Sequence, residues 1–171
     1  MADRDPVVRV ESDPAGLTIL TLDSPPLNLF DQAMMDDLGV AIAALAASPP
    51  RALLIRAAGR AVSGGVDVHV FDGLTPEQGS ALWTELLEMI DALEELPAPV
   101  VFAAHALTLT AAFEVALACD LIVATPGARF GLVEKVVGLT PSMGGPQRLA
   151  ERAGPARARE LIYTGDLFDA A

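Results

Sequence analysis

Between Pro97 and Cys119 the chain carries one charged residue, Glu114, set in AAFEVALACD. A run of that length either crosses a bilayer or lies at the centre of a folded core. Pro97 and Pro99 at its start, His105 and Glu114 within it, and the lack of a flanking basic cluster argue against the membrane. The run therefore belongs in a core, where an unpaired ionised carboxylate loses several kcal/mol of solvation or changes its protonation state. Glu114 needs a reason to be there. The ordinary reasons are a helix that turns it to solvent or an arginine that pairs with it.

The 171 residues, 52% hydrophobic and 20% charged, are enough for one domain, 1–171, with a substantial core. Eleven Lys and Arg against 23 Asp and Glu give a net charge of −12. That field repels nucleic acid and anionic membrane, so neither is expected as a partner. Cys119 is the single cysteine and lies in the apolar run, which fits a packed thiol in a reducing compartment. The opening MADRDPVVRV has no apolar h-region of a secretory signal. A cytoplasmic location is the expectation.

Val7–Glu11 and Leu17–Leu22 read as strands joined by a turn at Asp13-Pro14-Ala15-Gly16. Met34, Met35, Leu38, Ile42 and Leu45 then recur at helical spacing up to Pro49-Pro50. Arg51–Ala57 reads as a buried strand running into the glycine-containing loop GRAVSGGVDV. Thr75-Pro76-Glu77-Gln78 starts a helix that carries Leu82, Trp83, Leu86, Leu87, Ile90 and Leu93 on one face and stops at Pro97. Val100–Ala103 and Leu121–Ala124 read as strands flanking the Glu114 segment, and composition from Ala150 onward suggests more helix. The alternation is that of an α/β protein.

Two segments share one plan of buried strand, small residues, then helix: LLIRAAGRAVSGGVDV and VVFAAHALTLTAAFEVALACD. Small residues let backbone approach a ligand, and free amides at a helix start hydrogen-bond an oxyanion. A second acid, Glu134 in ARFGLVEKVVGL, reads by itself as a solvated residue beside Lys135. Together, two donor loops and two glutamates in an apolar domain suit the stabilisation of an enolate oxygen while carboxylates move protons at neighbouring carbons. Ser63 in its glycine loop does not suggest a serine hydrolase, because His69 and His105 are the only histidines and the loop lacks the nucleophile-elbow spacing. One cysteine and two histidines at these separations make no zinc site. No metal, flavin or nicotinamide is implied.

The chain resembles the crotonase family, the enoyl-CoA hydratase/isomerase superfamily. The carriers are SPPLNLF, GRAVSGGVDVHVF, FEVALACDLIVATPGARFGLVE and GLTPSMGGPQRLAERAG, so the resemblance runs along nearly the whole chain. It implies a crotonase-like spiral of repeated β-β-α units, with stacked sheets surrounded by helices. By resemblance, Gly64 and Ala111 supply the two oxyanion-hole amides, Glu114 and Glu134 are the catalytic acids, and Arg60, Ser63, Gly65, Asp67 and Pro141 contact the substrate. The implied reaction is addition of water across the 2,3 double bond of an acyl-CoA thioester, with coenzyme A as part of the substrate and no separate cofactor. Two alternatives stay open: an enoyl-CoA isomerase or other enolate-forming enzyme, and a crotonase-like subunit that binds without turnover.

The sequence also departs from the family pattern. Thr110-Ala111-Ala112 stands where relatives are glycine-rich, and Ala106 replaces a common glycine beside His105. Relatives continue past the equivalent of Ala171 into helices that close the acyl pocket and support trimers, so this chain is expected to lack that region. A homo-oligomer, trimer or hexamer, is implied by the resemblance. Arg60 and His69 are the candidate cations for a CoA phosphate, His105 reads as a packed histidine, and Asp67 and Asp120 read as turn and helix-end residues.

Overall fold

The computed structural model describes residues 4–170; residues 1–3 and 171, which the readings of the two termini include, lie outside it. Strands β1 (Val8–Ser12), β2 (Leu17–Leu22), β3 (Ala52–Ala57), β4 (Val100–Ala104) and β6 (Leu121–Ala124) form a five-stranded sheet in the order β1-β2-β3-β4-β6. The β1–β2 pair is antiparallel, as a hairpin must be, and the remaining pairs are parallel. A smaller sheet is built from β5 (Leu107–Leu109), β7 (Arg129–Gly131) and β8 (Phe168–Asp169), with β7 central.

Helix α1 (Gln32–Ala47) starts at Asp31, whose carboxylate accepts from the Met34 amide at 2.8 Å, and it buries Met34, Met35, Leu38, Ile42 and Leu45 as their spacing predicts. Helix α2 (Pro76–Glu94) carries the complete reciprocal cap between Thr75 and Gln78. Its Leu86, Ile90 and Leu93 are buried, together with Met89, while Leu82, Trp83 and Leu87 are only half-buried. Helices α4 (Gly145–Ala153) and α5 (Pro155–Thr164) meet at Gly154, so the C-terminal helical region begins earlier than the composition from Ala150 suggests.

The Glu114 segment differs from its simple reading in one respect. Between β4 and the helix lies the short strand β5, which pairs in parallel with β7 about twenty residues later. Three residues are too few to show an alternating pattern, and the partner is not yet in the sequence. The consequence is geometric: α3 (Ala111–Ala118) packs against β6 of the large sheet, β5 of the small one, and helices α2 and α4. Every residue of α3 is buried. Glu114 therefore cannot be the solvent-facing acid of an amphipathic helix. No helix among the described residues is long and apolar enough to cross a membrane, since the Pro97–Cys119 run is divided among β4, β5 and α3.

Candidate active site

Glu114 sits in the first turn of α3 and is 3% exposed. Its Oε1 accepts from the amides of Met143 at 2.9 Å and Gly145 at 2.8 Å, where the chain enters α4. Gly145 has to be glycine for this contact, because a Cβ there would lie 2.7 Å from Cγ and Oε1 of Glu114. Burial pushes the Glu114 carboxyl up, and the two amides and the nearby Arg148 guanidinium pull against that. Arg148 does not pair with Glu114. Its guanidinium donates to Glu94 at 2.5 and 3.0 Å, to Asp91 at 2.8 Å and to the Met143 carbonyl at 3.2 Å. It thereby fixes the peptide strand whose amide holds Glu114.

Glu134 opens a short 3-10 helix, Glu134–Val137, and is 8% exposed. Neither carboxyl oxygen has a hydrogen-bond partner among the described residues. Burial, reinforced by the neighbouring Glu114 charge, pushes its pKa up to about 7. The sequence reading of a solvated residue beside Lys135 fails because the turn sends Lys135 to solvent and Glu134 inward.

Both acids line one cavity of about 210 Å³. Its wall is mainly apolar: Val66, Val68, Phe71 and Trp83 from one side, Val133, Leu139 and Met143 from the other, with the exposed Val136 and Val137 at the lip. Phe71 and Trp83 pack ring to ring at 5.2 Å. Thr110, Thr140 and Ser142 are its other polar side chains. Such a space accepts an apolar chain and brings one end of it to two carboxyl groups.

The loop residues fall out differently from their sequence assignment. Gly64 lines the cavity, but its amide donates to the Leu27 carbonyl at 2.8 Å and so is not free for a ligand. The Val66 amide donates instead to the Thr110 hydroxyl at 3.0 Å, and both residues line the cavity. Ala111 is fully buried and contributes nothing to the wall; Thr110, immediately before it, takes that place. The Ala111 amide has no acceptor among the described residues, as expected at the first position of a helix.

Of the residues expected to contact substrate, none lies on this wall. Ser63 is fully buried, donating to the Asn28 carbonyl at 2.7 Å and accepting from the Gly65 amide at 3.0 Å, so its hydroxyl is consumed in shaping the loop. Gly65 is buried at φ +103°, with the Thr110 side chain packed where a Cβ would be. Asp67 caps the 3-10 helix Val68–Phe71 by accepting from the His69 amide at 3.1 Å. Pro141 is buried and faces a separate groove beside Ala158 and Ile162. Arg60 is exposed at the turn after β3 and does not line the cavity. His69 is exposed and bonded to Asp72 at 3.1 Å, which raises its pKa. His105 is exposed and not packed, although its Nε2 meets the Gly59 carbonyl at 2.9 Å. Asp120 accepts from the Val100 amide at 2.7 Å, tying the end of α3 to β4.

Sequence reasoning missed the residue that holds the first loop. Asn28, at φ 50° and 3% exposed, directs its amide nitrogen at the carbonyls of Ala58, Ala61 and Val62, at 2.8, 3.1 and 3.2 Å. Its side-chain oxygen accepts from the Ser24 amide at 2.6 Å. SPPLNLF thus contributes one buried side chain that clasps the backbone leading to Gly64 and Val66. A positive φ at a single asparagine leaves no periodic trace, and only its tolerance of that region hints at the role.

Two acids in an apolar cavity beside a helix start and a glycine loop invite comparison with known proteins. A model of the enoyl-CoA hydratase/isomerase family matches residues 12–171. The chain belongs to this family. A protein of Mycobacterium tuberculosis named "probable enoyl-CoA hydratase" is 33% identical over 96% of the chain, and one of Bacillus subtilis with the same name is 30% identical over 88%. Crotonyl-CoA hydratase of Syntrophomonas wolfei is 29% identical over 90%. The matched regions are 63%, 59% and 60% of those relatives, so the chain spans about three fifths of their length. The crystal structure of an enoyl-CoA hydratase from Mycobacterium smegmatis superposes with a TM-score of 0.90 at 31% identity, covering 97% of this chain and 65% of that one. One from Bacillus anthracis gives 0.86 at 28%, covering 96% and 65%. The fold is crotonase-like, as the family motifs imply.

Proposed function

We propose that the chain carries the catalytic centre of an enoyl-CoA hydratase. The observation that supports this most strongly is the convergence of Glu114 and Glu134 on one apolar cavity, where the second acid has no hydrogen-bond partner of its own. Burial, with the Glu114 charge beside it, keeps Glu134 protonated up to about pH 7, and the surroundings divide the roles. Glu114, with two amides on Oε1, is the better-stabilised carboxylate; Glu134, pushed up to about 7, is the one that holds a proton.

The acyl chain of a 2-enoyl thioester lies along Val68, Phe71, Trp83 and Leu139, which excludes bulk water. Its thioester oxygen lies toward Thr110, at the wall where the first loop meets the start of α3. A water held between the acids loses a proton to Glu114 as its oxygen bonds to C3. The π electrons move toward the thioester, and Glu134 gives its proton to C2. Atoms balance as one water added per double bond, and the proton received by Glu114 is returned to Glu134 by way of solvent or product release.

The test follows loss of the conjugated thioester absorbance of crotonyl-CoA and of a longer 2-enoyl-CoA, with Glu114→Gln and Glu134→Gln as controls. Turnover that falls at least about 10²-fold in each variant supports the assignment. A shifted double bond with no hydration product would assign the same two acids to an isomerase. Folded protein with no turnover would leave a binding subunit.

A further inference from the structure

Thr110 is the least explained residue of the cavity. It is β-branched, yet it adopts φ 46° and ψ −120°, a region that side chains with a Cβ rarely enter. Such strain persists only where the surroundings impose it. Here the Thr110 amide donates to the Gly131 carbonyl at 2.9 Å and its carbonyl accepts from the Glu114 amide at 2.9 Å, so the peptide is pinned on both sides. The side chain is 7% exposed and fills the space left by Gly65, where a Cβ would lie 2.5 Å from the Thr110 Oγ1.

That arrangement determines what the hydroxyl can do. Its oxygen accepts from the Val66 amide at 3.0 Å, while its own hydrogen meets no acceptor among the described residues. Thr110 lines the cavity together with both acids. Of the amides of the first loop, that of Gly64 is spent on Leu27 and that of Val66 on Thr110 itself. Of the other wall hydroxyls, that of Ser142 is spent on the Thr140 carbonyl and Thr140 is exposed, so among the described residues Thr110 carries the buried wall hydroxyl that still has a hydrogen to give, and an amide donating to its oxygen makes it a stronger donor.

We propose that the Thr110 hydroxyl hydrogen-bonds the thioester oxygen of the substrate, so that a side chain backed by the Val66 amide replaces a direct backbone donor. The proposal rests on the enoyl-thioester reading above. It gives the threonine in place of glycine a catalytic role, and it makes Gly65 necessary because any side chain there would displace the hydroxyl.

The test uses a 2,4-dienoyl-CoA, whose absorption moves to longer wavelength when its carbonyl is polarised, with excess protein and with affinity measured separately by calorimetry. The wild-type chain is expected to bind the probe with a red shift. Thr110→Val should bind it with most of the shift lost and with kcat about 10²-fold lower at similar KM, the scale seen on deleting one oxyanion donor. Thr110→Ser should recover the shift. Thr110→Gly, which relieves the backbone and keeps the variant set interpretable should valine not fold, should show a shift smaller than that of the wild type. A full shift in Thr110→Val overturns the proposal. A larger shift in Thr110→Gly overturns it too, because the hydroxyl would then be a plug over the Val66 amide. If the wild-type chain does not bind the probe at all, the enoyl-thioester reading fails and this proposal with it; binding with the shift unchanged across the series refutes the proposal alone.

Discussion

Replacing Glu134 by glutamine should stabilise the protein, and by an amount that grows with pH. In the folded chain the carboxyl is 8% exposed, has no hydrogen-bond partner, and has a pKa of about 7 against an ordinary 4.5. Between those values the folded state binds the proton more tightly than the unfolded one, so stability is fully present below pH 4.5 and is lost as pH rises through 7. The loss amounts to about 1 kcal/mol at pH 5.5 and about 3 kcal/mol at pH 8, upper limits because the cavity opens to water at its lip. Glutamine cannot ionise and escapes this loss. The stability gap between Glu134→Gln and wild type should therefore widen by up to about 2 kcal/mol from pH 5.5 to pH 8, or roughly 4 to 8 °C in Tm for a chain of this size. Urea unfolding followed by circular dichroism at both pH values measures it directly. A constant gap across that range would mean that Glu134 ionises normally, and the division of roles between the two acids would fall with it.

Other outcomes follow from the same geometry. In steady-state assays kcat should decline above about pH 7 as Glu134 loses its proton, approaching tenfold per pH unit well above that value; a flat profile to pH 9 would contradict its role as proton donor. Gly145→Ala puts a methyl against the Glu114 carboxyl and should lower kcat by about 10²-fold, whereas Gly127→Ala, whose Cβ meets nothing, should spare kcat. Arg148→Ala, which frees two half-exposed acids and the Met143 carbonyl, should cost roughly 1–3 kcal/mol in denaturant unfolding and also lower kcat. Asn28→Ala unsatisfies three carbonyls at once and should cost about 2–4 kcal/mol, measured in the same way; a loss below 0.5 kcal/mol would show that water replaces the clasp.

How far the sequence is legible varies with the range of the interactions involved. The α1 and α2 faces and the capping box at Thr75 are set within a few residues, and each forms where its pattern predicts. Glu114 stands out because an acid in an otherwise apolar run is visible without any partner. What it contacts is not visible, since Met143 and Gly145 lie 29 and 31 residues further on. Gly64 reads as an amide donor from local composition alone, but its hydrogen is claimed by Leu27, which a different segment brings alongside. Pro141 and Ser63 fail in a similar way: small or turn-forming residues near a site are as readily used to build its supports as its wall. The family motifs locate the acids and the loop, and tertiary packing decides which atoms of the loop face inward.

The amides that hold Glu114 also carry a consequence for the order of assembly. During synthesis the residues of α3 emerge well before Met143 and Gly145, so the acid has only water to solvate it until the turn into α4 is complete. Burying α3 before those amides arrive would leave Glu114 without its hydrogen-bond donors, which favours the protonated acid until the turn into α4 is made. The ionised form of this acid is thus held by nonlocal contacts, 29 and 31 residues away, of the kind that lengthen the loops a fold must close. The acid that would do the chemistry depends on a turn made after its own helix.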